Sequence, residues 1–172
     1  MNLGFSKQIN GVKTYFAEKI WCAIDKFNLI TEQEAIDFSN ESNTLSLDFE
    51  KTPSLVPKIH TIRRDEKNRW KVGNKIHFIY GNGAKERFQF APVVECKTIQ
   101  KITIEEMLMT NTEYCYVHKS KIFKVCIDNI ALSKMQIKNL AINDGFESVK
   151  DFFNWVSEDF TGKIIGWTNY KY

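Results

Sequence analysis

The segment Lys58-Ile-His-Thr61-Ile-Arg63 places an amine, a hydroxyl and a guanidinium within six residues. A lysine beside a threonine hydroxyl acts as a general base when burial lowers its pKa. An arginine nearby holds a phosphate or a polarised carbonyl. On a regular strand Thr61 and Arg63 share one face and Lys58 lies on the other. Lys58 reaches Thr61 only where the chain bends, and Pro57 makes an irregular start credible. Taken by itself the pattern is too short to be specific.

Two further groups of residues carry chemical possibilities. Gly81-Asn-Gly-Ala-Lys85-Glu-Arg87 has the glycines and cations of a phosphate cradle but lacks the Gly-Lys-Ser/Thr of a P-loop, so a hairpin turn with basic flanks is the better reading. Trp70, Phe78, Tyr80, Phe88 and Phe90 interleave with the basic residues, and exposed rings there would stack on bases. Most of them read as core, with Trp70 the one placed nearest a site. Cys22, Cys96, Cys115 and Cys126 show no Cys-x-x-Cys spacing and read as small buried apolar residues. Cys115 and His118 form half of a zinc spacing without a second pair, so neither a metal nor another cofactor is expected.

The elements that must position these groups are mixed. Leu3 to Gln8 reads as a strand and Asn10-Gly11 as a turn. A helix follows, capped by Thr14, with Phe16, Ile20, Ala23, Ile24 and Phe27 as its apolar stripe. Glu32 to Phe38 predicts a short helix and Ser39 to Thr44 a loop. Lys58 to Arg63 and Lys75 to Tyr80 alternate as strands around a turn at Val72-Gly73-Asn74. Gly81-Asn82-Gly83 predicts a tight turn. Val93 to Ile104 is β-rich, and Tyr114 to Val117 with Ile122 to Ile127 predicts a hairpin around Lys119-Ser120-Lys121. Leu132 to Asn143 and Ser148 to Phe160 predict helices. The second has an acidic capping box from Ser148 and Asp151 and ends at Gly162. Lys163 to Thr168 closes as a strand. The pattern is α+β, a small curled sheet or barrel with helices at its ends.

A chain of 172 residues, with 43% hydrophobic and 26% charged residues, is the size and composition of one globular domain. No apolar run reaches the length of a membrane span. No signal-peptide core stands at the start, so a cytoplasmic location is expected. The net charge of +3 is unevenly spread. Residues 58–87 hold nine Lys or Arg against three Asp or Glu, residues 1–57 five against eight, and residues 88–172 ten of each. Clustered cations are the footprint of a phosphate-bearing partner, or else a solvated strand face.

Lys58-x-x-Thr61-x-Arg63, followed by Arg69-Trp70-Lys71-x-Gly73-Asn74-Lys75-Ile76-His77-Phe78, resembles the ASCH domain of the PUA-like superfamily. The fuller resemblance is to ASCH-like proteins of phages and prophage regions. It is carried by Gly11-Val-Lys-Thr14-Tyr-Phe16-Ala-Glu-Lys19-Ile20, Asp144-Gly145-Phe146, Phe152-Phe153-x-Trp155 and Lys163-Ile-Ile-Gly-Trp167-Thr168. It covers Leu3 to Thr168 as one domain spanning 1–172, with residues 28–56 matching least, as an inserted segment.

The resemblance implies a PUA-like β-barrel flanked by helices, with a cleft between them where relatives bind RNA or modified bases. The first expectation is a module that binds nucleic acid, RNA above all, or a modified nucleobase. In that module Arg63, Arg64, Arg69, Lys85 and Arg87 hold phosphates beside Lys58, and Trp70 or Tyr80 stacks on a base. The alternative is a small amidohydrolase that deacetylates N4-acetylcytidine-type nucleosides. The resemblance then gives Lys58 as base, Thr61 as nucleophile and Asp144 as proton donor. Asp144 stands where the family has Glu, one methylene shorter.

Overall fold

The computed structural model describes residues 1–41, 55–81, 87–108, 113–156 and 158–172. Those residues form an α+β structure. In chain order the elements are β1 (Asn2–Phe5), β2 (Gln8–Ile9), β3 (Val12–Lys13), α1 (Phe16–Lys26), α2 (Glu32–Glu41), β4 (His60–Arg63), β5 (Lys75–Tyr80), β6 (Phe88–Gln89), β7 (Val94–Glu95), β8 (Thr98–Met107), β9 (Cys115–His118), β10 (Lys121–Ile127), β11 (Ile130–Ala131), α3 (Lys134–Asn143), α4 (Val149–Trp155) and β12 (Phe160–Gly166). Among the described residues no helix is long and apolar enough to cross a membrane.

The larger sheet runs β11-β10-β8-β12-β4, with β9 also on β10, and every pairing in it is antiparallel. In the smaller sheet β1 lies parallel to β5, and β6 and β7 add to β5 antiparallel. β2 and β3 form a separate hairpin around Asn10 and Gly11, both at positive φ as its tight turn requires. The described pairings leave these sheets open rather than closed into one barrel.

The core has two parts, and β4 and β12 run between them. Ile59, Ile165 and Trp167 pack with Leu3, Phe5, Phe16, Ile20 and Phe78. Ile62 and Ile164 pack with Ile102, Phe123, Leu140, Phe152 and Phe153. The two-residue period of a strand sends neighbouring side chains to opposite cores. Each buried Phe or Ile contributes roughly 1.5–3 kcal/mol. This packing makes the β4 backbone a rigid mount for whatever it carries.

Local chemistry corrects several expected boundaries. Thr14 does not cap α1, because its hydroxyl donates to the Ser6 carbonyl at 2.8 Å and ties the helix start to the end of β1. Tyr15 occupies the cap position in a left-handed conformation without a side-chain cap. Phe27 closes the helix 43% exposed rather than extending its buried stripe. α2 runs on to Glu41 and takes in the start of the expected Ser39–Thr44 loop; residues 42–44 lie outside the described residues. α3 begins at Lys134 because Ser133 and Gln136 form a full capping box. α4 is capped by Ser148 as expected but stops at Trp155, and Phe160 opens β12 instead of ending the helix. Gly162 is inside that strand, where a Cβ would stand 2.5 Å from the Arg63 carbonyl oxygen; close backbone approach explains it, not helix termination. Asn82 and Gly83 of the expected turn lie outside the described residues.

Candidate active site

Pro57 and two backbone hydrogen bonds decide how Lys58 is presented. The Lys58 N–H donates to the Lys19 carbonyl in the first turn of α1, and the Ile59 N–H donates to the Asn143 carbonyl at the end of α3, both at 3.0 Å. The indole of Trp167 donates to the Lys58 carbonyl at 3.0 Å. Regular pairing with β12 begins only at His60. Lys58 therefore precedes the strand and is freed from its alternation. Its side chain enters the same cleft that Thr61 and Arg63 line.

Asp144 arrives from the other side. It is the C-cap residue of α3, and its N–H bonds to the Leu140 carbonyl. Gly145 follows at φ +88°, a conformation that favours glycine. A Cβ at Gly145 would also stand 3.0 Å from Lys58 Cδ and from Phe16 Cε1. The missing side chain is what lets the lysine stem pass. Lys19 fixes this turn from α1 by donating to the Gly145 carbonyl at 2.7 Å and to the Glu147 carboxylate.

The result is a buried pair. Lys58 Nζ stands 2.5 Å from Asp144 Oδ1 and also donates to the Asp144 carbonyl. Lys58 is 1% exposed and Asp144 2%. Burial is the main influence on both groups. It lowers the Lys58 amine to about 8, against the opposing pull of Asp144. It raises the Asp144 carboxyl, opposed by Lys58 and Arg63. The two shifts bring the groups toward sharing one proton, so that the ion pair and the neutral pair differ by its transfer.

The cleft around the pair is lined by Gly4, Phe5 and Ser6 of the first strand and the loop after it, by Phe16, by Thr61 and Arg63, and by Phe146 and Trp155. It encloses about 480 Å³ with its open mouth included. Phe16 and Phe5 present their rings to Lys58 Nζ at 4.6 and 5.7 Å. Arg63 bridges the sheets by donating to the Gly4 carbonyl at 2.8 Å, with its guanidinium 5.2 Å from the Phe5 ring centre. Burial lowers the Arg63 pKa, with Asp144 opposing. The slot mixes aromatic rings with an amine, a hydroxyl, a carboxyl and a guanidinium along its lining.

The cleft thus brings together Lys58, Thr61, Arg63 and Asp144 from the sequence-based set. Trp70 is 6% exposed and packs in the first core. Tyr80 is 7% exposed; its hydroxyl accepts the Ala17 N–H at 3.3 Å, and burial pushes it up to about 12. Neither ring lines the cleft, so the expected base-stacking platform is not formed by these two residues. Arg64 is exposed and pairs with the exposed Glu158 at 3.5 Å. Arg69 and Arg87 are exposed, and Lys85 lies outside the described residues.

Sequence reasoning missed Lys19, Gly145, Phe146 and Trp155 as parts of this site. Lys19 had a usable signal: it stands on the α1 face that carries Phe16, Ile20 and Ala23, where a charge is out of place unless paired. His60 behind the pair had no such signal.

Comparison with known proteins finds no matching family model, no matching curated protein and no matching solved structure.

Proposed function

We propose that this cleft binds an acylated nucleobase and hydrolyses its exocyclic amide. The observation that carries the reading is the Lys58 amine, lowered to about 8 and held by Asp144 in the cleft that Thr61 lines. Perturbed buried groups converging on a cleft favour catalysis over a purely structural pair. The nucleobase class comes from the resemblance of the Lys58, Thr61 and Arg63 motif to ASCH proteins. On that reading the two open sheets are the walls of a PUA-like barrel.

The chemistry uses one shared proton. With the proton on Asp144, neutral Lys58 removes the Thr61 hydroxyl proton as Thr61 Oγ1 attacks the amide carbon. Arg63 steadies the developing oxyanion. The C–N bond breaks and Asp144 protonates the departing amine. Water then hydrolyses the Thr61 ester, restoring the hydroxyl and releasing the carboxylic acid. Transfer of a proton from Lys58 back to Asp144 resets the pair. The Asp144 side chain, shorter than the family's Glu, already reaches Lys58.

The test is turnover of N4-acetylcytidine and related acylated nucleosides, followed as release of the deacetylated nucleoside. Lys58→Ala and Thr61→Ala should abolish it, whereas Thr61→Ser should retain part of it. Turnover undiminished in Lys58→Ala would refute the mechanism. A second reading, RNA binding without chemistry, is favoured by the exposed Arg64 and Arg69 just beyond Arg63. Absence of turnover across the panel, together with salt-sensitive RNA binding, would select it.

A further inference from the structure

His60 points one unused nitrogen at the proposed site. The side chain is 3% exposed, and among the described residues Nδ1 is the buried polar side-chain atom without a hydrogen-bond partner. It stands 3.8 Å from Asp144 Oδ1, the same oxygen that Lys58 holds at 2.5 Å. The other nitrogen, Nε2, is 2.8 Å from the Tyr172 hydroxyl. That hydroxyl also accepts from Asn143 Nδ2 at 3.0 Å. Burial raises the Tyr172 pKa far above neutrality, so it keeps its proton. Having accepted from Asn143, its O–H is left to donate to His60 Nε2. The imidazole proton then belongs on Nδ1, facing Asp144.

We propose that His60 is a positioning residue for Asp144: locked by Tyr172 with its proton on Nδ1, it takes up the Asp144 carboxylate when that group has given its proton away. This inference rests on the cleft being the working site. Lys58 and His60 compete for one oxygen, so a small movement of the carboxylate transfers it from one donor to the other. Burial, with Lys58 adding to it, holds the imidazole well below its usual range, so His60 stays neutral and does not become a competing cation. The groups acting on this centre are Lys58 ahead of the strand, Asp144 and Asn143 at the end of α3, and Tyr172. Arg63 on β4 and Lys19 on α1 add their charge to the pair. Tyr172 is itself held, its N–H donating to Gln100 Oε1 at 3.0 Å.

The test uses the whole chain without substrate, so its result is separate from the turnover assay. Imidazole nitrogen NMR should find His60 neutral with the proton on Nδ1; a proton on Nε2 would overturn the proposal. Tyr172→Phe should release the lock and let an Nε2-protonated fraction appear. Carbon NMR of the lysine side chains then follows the Lys58 titration. In His60→Phe the proton shared by Lys58 and Asp144 should leave about one pH unit higher, because the doubly deprotonated pair loses its donor. His60→Asn, which keeps an N–H near the Nδ1 position, should stay close to wild type. A folded His60→Phe with an unshifted titration would overturn the proposal. Should that variant fail to fold, the wild-type tautomer and the Tyr172→Phe spectrum decide.

Discussion

Lys58 and Asp144 form a buried ion pair at 2.5 Å whose members come from opposite sides of the cleft, one ahead of β4 and the other at the end of α3. Neither is appreciably open to water. Removing charges from water is costly, and mutual attraction recovers the cost only in part. The pair is therefore better explained by what it can do than by what it adds to stability.

A mutant cycle follows from that geometry. Lys58→Met strands a buried carboxyl and should cost about 3 kcal/mol of unfolding free energy. Asp144→Leu strands a buried amine and should cost a similar amount. The double variant should lose clearly less than the sum, because neither charge is left alone. Urea unfolding of the four proteins checks this, and strictly additive losses would mean that the two groups are not coupled.

How much of this arrangement was legible in the residues depended on the range of the interactions. The strands around Lys119-Ser120-Lys121 and Lys75 to Tyr80 could be read because alternation and turn chemistry are local. Lys58 and Thr61 stood out as residue types, and Pro57 hinted that the alternation would break. Asp144 was reached through resemblance alone, since nothing in its own segment points to residue 58. At Phe160 the apolar spacing fits α4 as well as β12, and pairing with Ile104 puts it in the strand. Trp70 and Tyr80 looked like stacking rings because their charged neighbours suggested exposure. Burial against partners distant in sequence put both in the core.

Gly145 and Gly73 give a matched comparison. Both adopt positive φ, at +88° and +89°, but a Cβ at Gly73 meets nothing within 4 Å. Gly73→Ala should cost about 1 kcal/mol, the conformational penalty alone. Gly145→Ala adds close approaches at 3.0 Å to Lys58 Cδ and Phe16 Cε1, and should cost about 2–3 kcal/mol in total. Denaturant melts measure both. A second readout is the Lys58 titration, which should move in Gly145→Ala and stay fixed in Gly73→Ala. Equal losses with an unmoved titration would show that the close approach does not matter.

Replacing the exposed arginines would distinguish the proposed nucleoside chemistry from the alternative of RNA binding. Arg64, Arg69 and Arg87 are exposed, and none lines the cleft. Their joint replacement by Gln should leave turnover of a free acylated nucleoside within about twofold, since a nucleoside offers no phosphate to hold. Any affinity for single-stranded RNA should fall, with the salt slope shallower by about 0.7 for each phosphate that is no longer neutralised. Filter binding across a salt series measures it. A large loss of nucleoside turnover in the triple variant would place these arginines in the chemistry and contradict the cleft as described.

Lys58 also sets a pH dependence with a definite sign. Its folded-state value of about 8 lies below its ordinary value of 10.5. Between those two values the unfolded chain binds a proton that the folded chain has released, so stability should rise with pH across that window. Below about pH 8 the amine is protonated in both states and this contribution becomes a constant cost. Activity should follow the same proton in the opposite direction. The mechanism uses the proton that leaves in this titration, so kcat/KM should hold just below about pH 8 and fall about tenfold per pH unit above it, as Asp144 is left with no proton to give. Lys58→Met should remove the rise in stability that the lysine itself contributes between 8 and 10.5. Unfolding free energies at half-unit steps from pH 7 to 10.5, wild type against variant, measure that difference together with the response of the coupled Asp144 carboxyl. Parallel curves would mean that Lys58 titrates as an ordinary surface lysine, and the base would have to be sought elsewhere.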